Sequence, residues 1–217
     1  MSPTSKPRRK KPKSREPLSP DRIELAALEL IERTGLSGFS QRALARELGI
    51  EAMSLYHWYP SQLDLLNAMF DRVIARMVVP RSGSPAARLR GTALSFREIA
   101  LRHPAFVGGF VVPHRFNTEI GLGVLESVLE IFRDAGLEGE QAARRFRIFM
   151  HYVMGAVLDE TIGYGKGPGA TRPLPDEVVA ERYPLVAALT PYNQPAHHEA
   201  HFRAGVDAIL RGLDRPA

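Results

Sequence analysis

Residues 38 to 66, "GFSQRALARELGIEAMSLYHWYPSQLDLL", decide how this chain folds. Ser40 reads as an N-cap, and Leu44, Ala45 and Leu48 follow at the spacing of one helical face. Gly49 supplies a turn, and a second short helix is predicted from about Glu51 to Trp58. Four consecutive rings, Tyr56, His57, Trp58 and Tyr59, close the stretch, with Pro60 directly behind. Helices of eight or nine residues are marginal alone, so they must share a core with something nearby.

That partner lies upstream. Leu18-Ser19-Pro20-Asp21 carries a Ser cap, a Pro in the first turn and an acid at the positive end of the dipole. A helix follows to about Thr34, where Gly35 stops it. The shared core is predicted to be Ile23, Ala27, Ile31, Phe39, Leu44, Leu48, Ile50, Leu55 and Tyr59. Downstream, Pro60-Ser61 opens a longer helix whose stripe is Leu63, Leu66, Met69, Phe70, Val73, Ile74 and Met77. Helices are then expected near 86–103, 117–135, 138–164, 176–189 and 196–213, separated by PRSGSP, AFVGGFVVPHRF, GYGKGPGATRPLP and TPYNQP. No alternating pattern of useful length occurs, so the chain reads as all-α, with three short helices followed by a larger helical half.

The 217 residues are 44% hydrophobic, enough for a sizeable core, and contain no cysteine. Disulfides, thiol nucleophiles and thiolate metal sites are therefore excluded. No apolar run is long enough to span a bilayer, and the basic start has no apolar stretch behind it, so the expected location is the cytoplasm. Lys6, Arg8, Arg9, Lys10, Lys11, Lys13 and Arg15 face only Glu16 within residues 1–17, so that arm carries +6 and the rest of the chain −1 of the net +5. Rich in Pro and Ser, the arm is expected to be disordered alone and suited to following a phosphate backbone.

With Leu55 and Tyr59 pointing inward, Ala52, Met53, Tyr56 and His57 are left on the outer side of the third helix, where Glu and Lys would be ordinary. Small residues there permit close approach to base edges, and the rings can donate to phosphates. Two helices joined by the Gly49 turn thus form a helix-turn-helix, its second helix suited to a major groove.

Residues from about Leu18 to Met77, through "FSQRALARELGI" and "SLYHWYPSQLDLL", resemble the DNA-binding domain of tetracycline-repressor (TetR) family transcriptional regulators. The resemblance implies a phosphate contact for Tyr56, a backbone contact for Trp58 and a core position for Tyr59. It implies base contacts for Gln41 and Arg42 in the second helix and for Ala52 and Met53 in the third. The DNA-facing set is completed by Ser54, His57 and Gln62. Trp58 replaces the usual His of the family and Gln62 a common phosphate-binding Lys. Residues 18–60 hold Arg22, Arg33, Arg42 and Arg46 against six acids, which assigns the arm a compensating role.

The remaining chain has no complete catalytic signature. GYGKGPG lacks the Ser or Thr and the strand of a phosphate-binding loop. His197, His198 and His201 in HHEAH are the sole metal-like grouping noted, without the H-E-x-x-H spacing, and they support the alternative of a metal-dependent enzyme or small-molecule carrier. "HYVMGAVLDE" and "FRAGVDAILRGL" resemble the ligand-binding and dimerisation domain of the tetracycline-repressor branch. That implies a homodimer through the last two long helices, a palindromic DNA operator and release by a small-molecule effector. The boundaries implied are 18–64 for the DNA-binding unit and 65–217 for the ligand-binding unit. Phe106, Phe110, His114, Phe116, Phe149, Tyr152 and Met154 are the expected pocket, largely apolar, with Asp159 at the acid position of the branch. Val78 stands where the magnesium–tetracycline binder has His, so neither tetracycline nor any cofactor or metal is expected. Removing residues 1–15 is expected to flatten the salt dependence of DNA affinity; an unchanged slope would leave the arm in solvent.

Overall fold

The structure, a computed structural model, describes residues 17–112, 116–163 and 174–211. Residues 1–16 of the basic arm, His114 and residues 164–173 of the expected loop lie outside the described residues. Among the described residues every regular element is helical.

The first helix, α1 (Pro20–Thr34), starts on Ser19, whose side chain accepts the Arg22 amide, and ends at Gly35. Helix α2 (Gln41–Leu48) is capped by Ser40 through the Ala43 amide. Gly49 then adopts φ 64, ψ 41, the left-handed conformation that lets the chain reverse into α3 (Ala52–Trp58). Helix α4 (Gln62–Ile74) opens with a full capping box between Ser61 and Asp64. The buried residues Ile23, Ala27, Ile31, Phe39, Leu44, Leu48, Leu55 and Tyr59 form the predicted shared core, and Ile50 packs at its edge.

Helix α4 departs from the expected stripe. Leu63 is 52% exposed while Leu65 is wholly buried. Starting the helix at Gln62 places Leu65, Leu66, Met69, Phe70 and Val73 on one face and turns Leu63 away. Helix α4 packs on α1 and also on α7 (Glu119–Asp134), so it touches both the small and the large halves. Phe70 meets Phe116 edge to face at 5.2 Å between centroids.

The larger half is built on α5 (Pro85–Arg102), α7, α8 (Gly139–Thr161) and α11 (His198–Leu210). Between α5 and α7, a single turn α6 (Pro104–Phe106), packed on α1, passes into a π-turn, Val107–Val111, that packs toward α5 and α8. The predicted helix near 176–189 is two helices, α9 (Asp176–Arg182) and α10 (Pro184–Leu189). Pro184 forces Tyr183 out of the helical region (φ −135, ψ 60) and splits them. TPYNQP is likewise not a plain loop: it coils into two 3-10 turns before α11.

Arg97 staples α5 to α8 by a two-pronged ion pair with Glu160, Nε to Oε2 at 2.7 Å, and its guanidinium lies over the Phe202 ring of α11. Helices α8 and α11 also meet at Gly205, where a Cβ would fall 1.9 Å from the Tyr152 hydroxyl oxygen. Only a residue without a side chain leaves room for that ring, whose hydroxyl reaches the His201 and Phe202 carbonyls at 3.2 Å. Gly205→Ala is therefore expected to lower stability by about 1–3 kcal/mol in urea unfolding. In the double variant with Tyr152→Ala the two losses should not add, because the clash disappears.

Candidate nucleic-acid interface and effector cavity

Helix α3 turns Leu55 into the core, with Tyr59 just behind it, and leaves the opposite side in solvent. Met53 is 73% exposed, and Ser54, Tyr56, His57 and Trp58 are exposed beside it, with Ala52 half-buried. His57 and Trp58 stand edge to face, their centroids 6.4 Å apart. Arg42, in the first turn of α2, is exposed, and its guanidinium makes no hydrogen bond or ion pair among the described residues. Gln62 is exposed at the start of α4. Eight of the nine residues expected at DNA therefore reach solvent, fully or in part.

Gln41 is the correction. It is 4% exposed, and its Nε2 donates to the Tyr59 carbonyl at 3.0 Å. Its amide is spent on joining the start of α2 to the end of α3, where a buried carbonyl needs a partner. Sequence reading missed this because the acceptor lies 18 residues away.

Tyr59 also anchors a polar junction. Its hydroxyl donates to Glu24 Oε1 at 2.6 Å, and Arg72 of α4 holds Glu24 Oε2 through Nε and Asp21 through a terminal nitrogen. Glu24 is only 8% exposed, so its charge is tolerable because both oxygens are satisfied. Burial, then the bond to Glu24, pushes the Tyr59 phenol far above its ordinary value and keeps it a donor. The same carboxylate raises the Arg72 guanidinium further, fixing its charge. Glu32, further along α1, accepts the Ala105 and Phe106 amides at 2.9 and 3.1 Å, capping α6 from outside. Helix α1 is thus tied to α3, α4 and α6 by carboxylates.

Within the larger half, an enclosed apolar cavity of about 20 Å³ lies among α5, α7 and α8, walled by Met77, Phe96, Phe116, Val128, Phe149 and Met150. It has room for about one water. The single hydroxyl in its wall, Thr92, donates back to the Arg88 carbonyl at 2.9 Å. Of the described residues expected to line a pocket, Phe116 and Phe149 border this cavity and the others do not. Phe106 and Phe110 stack on each other at 5.4 Å in the turn packed toward α1, and Met154 is half-buried outside the cavity wall. Tyr152 and exposed Asp159 line a separate open groove of about 400 Å³ between α8 and α11, with His151, His198 and His201. The His197 and His201 rings stack at 5.9 Å, and among the described residues no group of three or more His, Cys, Asp or Glu is placed to hold a metal. The missed wall residues, such as Phe96 and Val128, show ordinary helical periodicity, and periodicity does not reveal which buried face borders a void.

Residues 24–69 match the family described as bacterial regulatory proteins, tetR family, and residues 79–216 match the tetracyclin repressor-like C-terminal domain. The chain belongs to the TetR family. It is a DNA-binding transcriptional regulator with a helix-turn-helix at its start and a helical C-terminal domain. Among TetR-family relatives, the transcriptional repressor DrrR1 of Streptomyces coeruleorubidus is 28% identical over 91% of this chain and 77% of that one. The class D tetracycline repressor protein of Escherichia coli is 29% identical over 87% and 86%. The structure of the Streptomyces coelicolor TetR family protein ActR in complex with actinorhodin is 26% identical, with a TM-score of 0.69 over 91% and 97% of the two chains. Members of this family bind DNA operators as dimers and respond to small molecules, and regulation of transcription rather than catalysis is the family's activity. Among the described residues no helix is long and apolar enough to cross a membrane.

If the Tyr59–Glu24–Arg72 junction joins the two halves as described, Tyr59→Phe should cost about 1–2 kcal/mol and Arg72→Met about 2–4 kcal/mol. Denaturant midpoints of the single and double variants should show losses that do not add; additive losses would dissolve the junction into independent contacts.

Proposed function

We propose that the protein is a cytoplasmic homodimeric repressor that leaves a palindromic operator when a small, uncharged, largely apolar molecule enters the cavity beside Met77. The observation that carries this reading is the double attachment of α4. Met77, just past its end, walls the cavity, and Arg72 within it grips Glu24 and Asp21 of α1. A molecule larger than the 20 Å³ now open must displace part of the wall. Displacement of Met77 is felt along α4 and, through Arg72, by the helix that carries the recognition module. The effector then shifts the population between two spacings of the recognition helices, binding better to the one that fits DNA less well.

The ligand class follows from the wall. Apolar side chains, two thioethers and one committed hydroxyl reject ions and reward buried hydrocarbon surface. ActR in complex with actinorhodin is a precedent for a small molecule bound within this fold. The dimer is assigned to α8 and α11, whose open groove beside Tyr152 and His201 leaves a face for a second copy. A two-fold dimer presents two recognition helices to half-sites one helical turn of DNA apart. Residues 18–64 serve as the reading unit and 65–217 as the sensing unit. Arg42, Ala52, Met53 and Ser54 meet bases, and Tyr56, His57, Trp58 and Gln62 meet the backbone.

Selection of bound duplexes from random DNA tests this directly. The wild type should enrich a palindrome with a guanine in each half-site, and Arg42→Ala should lower affinity about 10–100-fold and relax that guanine. A small apolar compound that releases the wild type should fail on a cavity-filling Val128→Trp variant that still binds the duplex. Enrichment of no palindrome would overturn the reading.

A further inference from the structure

We infer that Met53 reads the 5-methyl group of thymine, so that α3 recognises its half-site chiefly by an apolar contact and not by the forked hydrogen bonds of Arg, Asn or Gln. The inference deepens the operator-binding reading and rests on it. Met53 is 73% exposed, and among the described large hydrophobic residues only Leu185, at 81%, is more so. An unbranched thioether held in water on the outward side of a helix contributes nothing to the core, which Leu55 fills from the other side. Its neighbours on α3 are a methyl, Ala52, and a hydroxyl, Ser54. None of the three has the forked donors or acceptors of Arg, Asn or Gln that read guanine or adenine edges.

The major groove offers one apolar feature to such a surface, the thymine 5-methyl group; cytosine presents a bare C5. A flexible, polarizable side chain suits a methyl of variable position better than a branched one does. Arg42 supplies hydrogen-bonded readout from α2, so the two helices divide the work by chemistry. The same surface would accept 5-methylcytosine in place of thymine, because the group it touches is identical.

The test uses the full chain and the duplex recovered by selection. Each thymine of one half-site is replaced singly by uracil, which deletes the methyl and leaves pairing intact, and affinity is measured for wild type, Met53→Ala and Met53→Leu. One or two positions should lose about three- to tenfold affinity with the wild type and keep most of that loss with Met53→Leu. With Met53→Ala the same positions should show no further loss on uracil substitution. Met53 lies in solvent, so all three proteins should fold alike, which far-ultraviolet circular dichroism verifies. Uracil sensitivity that persists unchanged in Met53→Ala, or a half-site with no methyl-sensitive position, would overturn the assignment while leaving operator binding intact. Failure to enrich any duplex would instead remove the operator reading and this assignment with it.

Discussion

A buried carboxylate sets the terms for this molecule. Glu24 lies inside the small helical unit with both oxygens engaged, one by Tyr59 from the end of α3 and one by Arg72 from α4. The arrangement is stable only while all three groups are in place, because a desolvated charge without partners costs far more than the pair returns. Helix α3, at seven residues, cannot stand alone, so its orientation depends on what holds Tyr59. The Tyr59 side chain is fixed by Glu24 and its carbonyl by Gln41. Orientation of the reading helix is thereby referred to α1, α2 and α4 together.

That dependence explains why the sensing half can matter to the reading half at all. Interdigitated apolar side chains between α4 and α1 set an approximate register, which a directional charged contact makes stricter. A charged hydrogen bond does not slide, since small displacements of the guanidinium lose directional contacts at once. Glu32 adds a second fixed point by capping α6, so α1 is held at both ends of its length by groups belonging to the larger half or to α4. Helix α1 behaves as the keel on which the recognition module rides.

The local parts of this architecture were legible in the sequence. Ser19, Ser40, Gly35 and Gly49 act within a few residues of themselves, and each caps or turns the chain where propensity places it. The outward residues of α3 followed from the inward ones, since a helix has only two sides to assign. What was not legible depends on distance. Arg72 and Glu24 are 48 residues apart, and nothing in either neighbourhood announces the other. Gln41 looked like a base reader because its position is right, yet a buried carbonyl across the core claims its amide. The cavity drew on α5, α7, α8 and the segment just after α4, and aromatic residues near Phe106 were more conspicuous in sequence than the mixed aliphatic and aromatic wall that encloses it.

A cavity this small also bears on how a signal could be generated. Interiors are close-packed, so a wall that collapses onto about 20 Å³ has already gained its dispersion contacts, and an effector must replace them while separating the helices. On the proposed reading, its net affinity for the closed form is poor and for an opened form better, which is the differential binding a switch requires. Moving a two-state equilibrium from one side to the other takes about 5.5 kcal/mol of such difference. Burial of a ring-sized apolar ligand, at about 25 cal/mol per Å², supplies energy of that order when some 200 Å² leaves water. Polar anchoring is not needed to reach it, which is consistent with a wall whose one hydroxyl is turned back on its own helix.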